Sequence, residues 1–346
     1  MALSSYQRVM AAMDLKEPDR VPIVPMAKLF CVKYGGRKVN ECFEQPEKYV
    51  GAQMKMLRDF EFDAAYDLYS GVPLFNEFLG GKLNIEETAQ PSAAPVVKSI
   101  DDLKKVEQMD LRNYKRMEDV CRLLRRLKEE VRGDYPVIAM VHYPFRSAAL
   151  LRGVQEFFLD LALNPSFVRA LLDFCAGLCR TYAEMIIETG PDIIFTSQAV
   201  ASRDCISRKH YEQFVTAQEK EFNLFLRSKK KKILHHTCGD WDDRFDLVMA
   251  EAPDVIYVSA KANLGQLKEK YGKKICLMGN LHCVDVMARG TPDQVKSEAL
   301  KCIQQAGSGG GYILSGDCDL AYDTPVESMR AMADAGKTFG GYPLKL

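Results

Sequence analysis

The chain has 346 residues, 47% of them hydrophobic, with 47 basic and 47 acidic side chains. This length suits one large α/β barrel or two ordinary domains. The balanced charge gives no general attraction to nucleic acid or an anionic membrane, and no apolar run approaches the ~20 residues of a membrane span. The 11 cysteines are scattered and the amphipathic N-terminus lacks signal-peptide features, so the sequence predicts a cytoplasmic protein with free thiols.

Short apolar runs rich in Val and Ile alternate with helix-period segments along the chain. Their continuous apolar character predicts strands that are covered on both faces. The eight predicted strands are Arg20–Met26, Phe62–Tyr69, Pro136–His142, Asp192–Ser197, Lys232–His236, Asp254–Val258, Lys274–Met278 and Gly311–Leu314. The predicted helices are Pro46–Phe60, Met117–Arg132, Gln155–Leu163, Pro165–Thr189, Lys209–Ser228, Thr291–Gln305 and Thr324–Gly336.

Eight strands that alternate with helices predict a (β/α)8 TIM barrel, here one domain over residues 1–346. The segment Val72–Leu111 is long for a connection, and we expect it to cap the C-terminal face of the barrel. A doubly wound fold usually has a glycine-rich turn after its first strand. Here that turn reads Ala27–Phe30 without glycine, and the glycine-rich stretch Gly307–Gly311 precedes a strand. The barrel is therefore favoured.

A possible metal site lies at the end of the fifth predicted strand. In an extended chain, residues two apart point the same way, so His236 and Cys238 face one point while His235 points away. Cys318 follows the eighth predicted strand, and all strand ends of a barrel open onto one face. One nitrogen and two sulfurs favour Zn²⁺ and leave a fourth position open. Without the barrel, a His-x-Cys pair is better explained as an ordinary buried thiol beside a histidine.

Other polar and aromatic side chains at the predicted strand ends are candidates for substrate contact, although capping, ion pairing or packing would explain each of them too. Asp240 is a candidate for orienting His236, and Glu77 for an exchangeable fourth metal ligand. The predicted substrate-binding residues are Asp67, Tyr69, His142, Gln198 and Asn280.

Several stretches of the chain resemble the uroporphyrinogen-decarboxylase-like superfamily. The resemblance implies a TIM barrel over nearly the whole length. The stretches that carry it are Arg20–Ile23, Glu188–Asp192, Gly279–Asn280, Gly290–Val295 and Asp323–Met329.

Within this superfamily the chain is more similar to the methyltransferases than to the decarboxylases. The decarboxylases carry an arginine-rich N-terminal motif that Pro25–Phe30 lacks, and a histidine where this chain has Cys318. Methyltransferases that serve corrinoid proteins show H-x-C on strand five and a cysteine on strand eight, which His236, Cys238 and Cys318 match. The resemblance implies that these three bind a catalytic Zn²⁺ and that a corrinoid protein supplies cobalamin in trans. It also implies a small-molecule methyl donor or acceptor.

The segment Ser197–Asp204 differs from the pattern that is usual in coenzyme M methyltransferases. This difference favours an aryl methyl ether, such as vanillate or veratrole, as the methyl donor. A methylcobalamin:thiol methyltransferase of the coenzyme M type is the alternative. Uroporphyrinogen decarboxylase is more remote, and a non-catalytic barrel that binds a corrinoid protein is also open.

Overall fold

The strands of the computed structural model, which describes residues 3–69, 71–106 and 109–345, form two sheets. Seven strands run parallel, and their order in the sheet follows their order in the chain. The second and third strands form a small antiparallel pair apart from them. The strands are β1 (Ala65–Tyr66), β2 (Leu83–Asn84), β3 (Ser92–Ala93), β4 (Val137–Met140), β5 (Ile193–Ser197), β6 (Lys232–Thr237), β7 (Val255–Val258), β8 (Cys276–Leu281) and β9 (Tyr312–Gly316).

An irregular segment at Ile23 closes the parallel sheet into a barrel. Ile23 forms a parallel bridge with Leu314 of β9. On its other side, the Asp63 backbone N–H donates a 2.9 Å hydrogen bond to the Ile23 carbonyl, just before β1. The segment therefore takes the place of the eighth strand, and the predicted parallel barrel is confirmed.

The predicted strand Arg20–Met26 was wrong as a regular strand, because only two isolated bridges form there, Arg20 with Gly341 and Ile23 with Leu314. Pro22 and Pro25 lack the backbone N–H that a central strand would donate on both sides. The predicted strand Phe62–Tyr69 was also too long, since it pairs as a strand only over β1.

Helices surround the barrel, and a few of them lie at its two ends. They are α1 (Ser5–Met13), α2 (Lys28–Tyr34), α3 (Val39–Glu44), α4 (Pro46–Phe60), α5 (Leu74–Phe78), α6 (Ile100–Val106), α7 (Lys115–Val131), α8 (Pro144–Arg152), α9 (Val154–Leu163), α10 (Pro165–Glu188), α11 (Arg208–Phe214), α12 (Thr216–Ser228), α13 (Phe245–Ala250), α14 (Leu264–Tyr271), α15 (Pro292–Ala306) and α16 (Val326–Phe339), with a 3-10 turn at Leu111–Asn113 and a π-helix at Cys283–Ala288. The predicted helix Lys209–Ser228 is two helices, since the chain breaks at Val215.

Side chains that alternate along the strands fill the barrel. Leu234, Tyr257 and Ile313 point inward and belong to one buried cluster. Side chains of α1 join the same cluster, so this helix plugs the end of the barrel opposite the carboxyl ends of the strands. The outward side chains pack under the helices in a second, larger cluster. Both faces of the sheet are thus buried, as the continuous apolar runs predict.

The insertion Val72–Leu111 carries α5, the β2–β3 pair and α6. Gln90, in the turn between β2 and β3, reaches the wall of a cavity at the carboxyl ends of the strands. The insertion therefore contributes to a cap over this face. None of the helices in the described ranges combines the length and the apolar composition that a membrane span requires.

Candidate metal centre

Two strand ends bring the predicted metal ligands together. His236 lies on β6 and Cys238 just beyond it, while Cys318 lies just beyond β9. One ligand atom from each lies within 4.8 Å of the other two. Cys318 is far from the others in sequence, and it comes close because parallel strands end on the same rim of the barrel.

The surroundings of His236 fit a bound metal ion. Its side chain is buried, and apart from the nearby Cys318 thiol neither ring nitrogen has a hydrogen-bond partner among the described residues. The ring packs against Tyr257, with 4.4 Å between the centroids, and faces Phe195 on another strand. Buried polar atoms rarely lack partners, so an imidazole of this kind calls for a ligand. Together with two cysteine sulfurs it forms a donor set that Zn²⁺ prefers.

The two thiols influence each other directly. A hydrogen bond between them lowers the pKa of Cys238 below its usual value and raises the pKa of Cys318. The backbone of Cys318 is held by Cys283, whose sulfur accepts from its N–H at 3.1 Å, and by Tyr257, which donates to its carbonyl at 3.2 Å. Cys238 is therefore the thiol that ionises more readily, and Cys318 approaches it from a well-anchored backbone.

A cavity of about 200 Å³ opens beside the three residues. It is large enough for a small molecule but not for a corrin ring. Lys28 and Asp319 form an ion pair of 3.3 Å in its wall. The remaining wall residues are Met26, Gly71, Gln90, Met140, Arg146, Phe195, Ser197 and Ala199.

Arg146 is a wall residue that was not predicted from the sequence. Its guanidinium lies 2.9 Å from His142 Nδ1 and donates to the Gly71 carbonyl at 3.2 Å. Burial lowers its pKa to about 10, and no carboxylate of the described residues contributes to that pKa. Arg146 lies in the first turn of α8, where the helix dipole disfavours a cation. A cation in this unfavourable position was the feature of the sequence from which a functional role of Arg146 could have been recognised.

The predicted substrate residues that follow β1 and β4 lie outside this wall. The Asp67 carboxylate accepts the Met140 N–H at 2.7 Å and so links neighbouring strands. Tyr69 packs edge-on against Phe43. His142 is buried against aromatic side chains of the helix layer and reaches the cavity only through Arg146.

The other two predicted substrate residues also lie outside it. Gln198 donates to Glu219 on the helix side of the sheet, because Ser197 takes the inward position. Asn280 donates to the carbonyls of Ser259 and Ala262, at 3.1 Å each, and borders a separate cleft. The substrate roles of all five residues remain predictions.

Two further carboxylates are engaged elsewhere. Glu77 is held by Arg116 and Tyr114, so both of its oxygens are occupied. Asp240 pairs with Arg203 at 2.8 Å instead of orienting His236. The structure therefore gives neither residue the role suggested from sequence.

Comparison with known proteins gives a consistent picture. The family model described as Uroporphyrinogen decarboxylase (URO-D) matches residues 4–339. A methylcobamide:CoM methyltransferase of Methanosarcina barkeri is 25% identical over 343 residues, which cover 95% of this chain and 96% of that protein. A methylated-thiol–coenzyme M methyltransferase of Methanosarcina mazei is 25% identical over 267 residues, 77% of this chain and 70% of that protein.

The fold is also shared with a solved structure. A methyltransferase from Methanosarcina mazei superposes with a TM-score of 0.84 at 21% identity, covering 97% of this chain and 99% of that one. At this identity the likeness concerns the fold. The family model matches nearly the whole length of the chain, which is stronger evidence than the structural likeness. The chain therefore belongs to the uroporphyrinogen decarboxylase (URO-D) family.

Proposed function

We propose that this protein is a corrinoid-dependent methyltransferase, which moves a methyl group between a small substrate and the cobalamin of a separate corrinoid protein. The observation that carries the proposal is the convergence of His236, Cys238 and Cys318, with a buried imidazole that has no hydrogen-bond partner among the described residues beyond the nearby Cys318 thiol. Zn²⁺ held by these three residues would supply Lewis-acid chemistry, which stabilises negative charge on a substrate sulfur or oxygen. The names of the Methanosarcina relatives support the corrinoid part of the proposal.

The relatives favour a thiol as the small substrate. Both are named for coenzyme M, and one also for methylated thiols. The aryl methyl ether that the segment Ser197–Asp204 favours has no such support. We therefore put the coenzyme M type of reaction first and keep the aryl ether as the second class to test.

The cavity wall supports a substrate with an anionic group. Arg146 is a largely desolvated cation, and its contacts are a ring nitrogen and a carbonyl. A sulfonate or carboxylate would pair with it and gain charge-assisted hydrogen bonds. The apolar side chains of Met140 and Phe195 in the same wall would exclude water from the reacting atoms.

A methyl-transfer assay tests the function. The purified protein is incubated with methylcobalamin and 2-mercaptoethanesulfonate or homocysteine, and separately with cob(I)alamin and vanillate or veratrole. The cobalamin absorbance is followed in each case. We expect transfer to a thiol. Transfer from the ethers alone would replace the thiol proposal, whereas decarboxylation of uroporphyrinogen without any methyl transfer would refute the function altogether.

Replacement of a metal ligand should abolish both zinc binding and transfer. We expect Cys238→Ser to weaken zinc binding by more than ~100-fold. Even the loss of a residue that only hydrogen-bonds to a metal ligand lowers metal affinity by about 10- to 100-fold. Zinc per chain is measured by mass spectrometry alongside activity. Cys205→Ser is the matched control, since Cys205 is a half-buried thiol outside the three-residue set. Full zinc content and activity in Cys238→Ser would contradict the assignment.

A further inference from the structure

A second cluster of ligand-type side chains lies behind β6, on the side of the sheet that faces the helices. It consists of His235, Glu219 of α12 and Glu251 at the end of α13. All three side chains are buried, at 0%, 0% and 1% exposure. One ligand atom from each lies within 4.8 Å of the other two. Because His235 and His236 are neighbours on a strand, this cluster and the zinc site lie on opposite faces of the sheet.

Each carboxylate of the cluster is held by one oxygen and unpartnered at the other. Gln198 donates to Glu219 Oε1, and the Tyr211 hydroxyl donates to Glu251 Oε1 at 2.8 Å. The Oε2 atoms of Glu219 and Glu251 have no other hydrogen-bond donor among the described residues, and the two carboxyl groups lie close enough to interact with each other. Carboxylates that bind metals are commonly oriented in this way by a hydrogen bond to the oxygen that does not bind the ion.

The hydrogen bonds around His235 also leave one atom free. Asn223 donates its amide to the Glu251 backbone carbonyl at 3.0 Å, so its oxygen accepts the Tyr143 hydroxyl at 2.7 Å. The Tyr143 oxygen is then the acceptor for His235 Nδ1–H at 3.2 Å. This tautomer leaves a lone pair on Nε2, which has no partner among the described residues. A neutral imidazole whose other nitrogen is fixed by a hydrogen bond is ready to bind a metal.

Burial raises the pKa of both carboxyls, and no lysine or arginine of the described residues offsets this. When both carboxyls are ionised, the three atoms are all acceptors. Acceptors that face one another in a buried site repel unless a positive particle lies between them. A proton shared by the two carboxyls would give both Oε2 atoms a hydrogen bond, but His235 Nε2 would still have no partner among the described residues. A divalent cation would pair all three and neutralise both charges.

We propose that Glu219, His235 and Glu251 form a second metal site that binds a divalent first-row transition-metal ion. One nitrogen and two oxygens form a harder donor set than the nitrogen and two sulfurs of the first site. Mn²⁺ and Zn²⁺ are therefore the cations to try. The site would fasten β6 to α12 and α13 directly behind the first metal centre.

The test uses the full chain with the first site disabled by Cys238→Ser and Cys318→Ser. The double variant is stripped with a chelator and loaded separately with MnCl₂ or ZnCl₂. Bound metal is counted by mass spectrometry, and the melting temperature is measured with and without metal. We expect about one equivalent of metal per chain and a rise in melting temperature, since the ion binds the folded state.

Two single changes in this double variant locate the ion. Glu219→Gln keeps the size of the side chain but removes a charged ligand, and we expect it to abolish both metal binding and the shift in melting temperature. Glu221→Gln is the matched control, an exposed carboxylate on the same helix, and it should bind metal like the parent.

Three results would overturn the proposal. The first is that the double variant binds neither metal, and the second is that Glu219→Gln binds as much metal as its parent. The third is that the double variant takes up no metal and Glu219→Gln raises its melting temperature. The last outcome would assign a shared proton to the cluster instead. The metal count of the double variant decides the question even if Glu219→Gln fails to fold.

Discussion

Two adjacent histidines show how strongly strand alternation determines the role of a residue. His236 faces Cys238 and Cys318 at the barrel mouth, whereas His235 faces two buried glutamates on the helix side. The same rule removed Gln198 from the substrate cavity, since Ser197 is the neighbour that points inward. A shift of one residue along such a strand exchanges the inward and outward sets.

The substrate-binding role of Arg146 can be tested by its charge. We expect Arg146→Gln to raise the KM for 2-mercaptoethanesulfonate by about tenfold or more, because a hydrogen bond to a charged group contributes ~1.5–3 kcal/mol and 1.4 kcal/mol is tenfold. The KM for the uncharged 2-mercaptoethanol should change much less, and zinc content should stay constant. Equal effects on both thiols would show that Arg146 supports the wall without binding the anion.

At the scale of elements, the irregular segment at Ile23 depends on a close approach of α16. A Cβ added at Gly336 would lie 2.5 Å from Ile23 Cδ1 and 2.6 Å from its Cγ1. Ile23 is fully buried between the helix and the sheet, so it has little room to yield. The helix thus carries a glycine where the segment that closes the barrel passes beneath it.

We expect Gly336→Ala to lower the free energy of unfolding by about 1–3 kcal/mol, because overpacking outweighs the better helix propensity of alanine. Gly51→Ala in α4 is the control, since nothing lies within 4 Å of its added Cβ. It should raise the free energy of unfolding by about 0.5–1 kcal/mol. Urea titrations measure both, and a stabilised Gly336→Ala would show that the segment at Ile23 shifts easily.

At the scale of the whole molecule, an ion-pair network fastens the N-terminal helix to the end of the barrel that it plugs. Arg8 donates to Asp19 and to the buried Asp63, at 2.7 Å each. Asp63 also accepts from Arg20 and from the Ile23 backbone N–H. The network thus ties α1 to the segment that completes the barrel.

Acid should weaken this attachment. Burial alone would raise the pKa of Asp19, but hydrogen bonds from Arg8 and from the Leu3 N–H outweigh it and lower that pKa. The stability from this carboxylate is therefore complete above its unfolded pKa of ~3.9, and it is lost as pH falls through the lower folded value. We expect Asp19→Asn to cost about 1.5 kcal/mol at pH 7 and to lessen the acid dependence below about pH 4.

Urea unfolding at several pH values measures this effect. Asp101→Asn removes one partner of an exposed ion pair with Lys104 and should leave the free energy of unfolding nearly unchanged. If Asp19→Asn retained the acid dependence of the parent, the network would contribute little to it.

Much of the architecture could be predicted from local patterns. The apolar runs located β4 to β9 to within a few residues. The predicted helix Thr291–Gln305 matches α15, for which Thr291 is the N-cap whose side chain accepts the Gln294 N–H. The segment Arg20–Met26, which closes the barrel, was placed correctly but predicted to be a regular strand. The apolar pattern does not show that Pro22 and Pro25 lack the N–H groups that a central strand would donate. The break at Val215 likewise leaves no proline or glycine signal in the sequence.

The sequence by itself determined which side chains share a strand face, and so placed His236 with Cys238 and His235 away from them. The predicted barrel also placed Cys318 on their face of the molecule. Only the tertiary structure decided which further groups lie near them: Glu219 and Glu251 beside His235, and Arg146 in the cavity wall. The physical reason is the difference between local interactions and contacts between residues that are distant in sequence. Alternation is set by the local geometry of the backbone, whereas partners distant in sequence are brought together by closure of the barrel and packing of its helices.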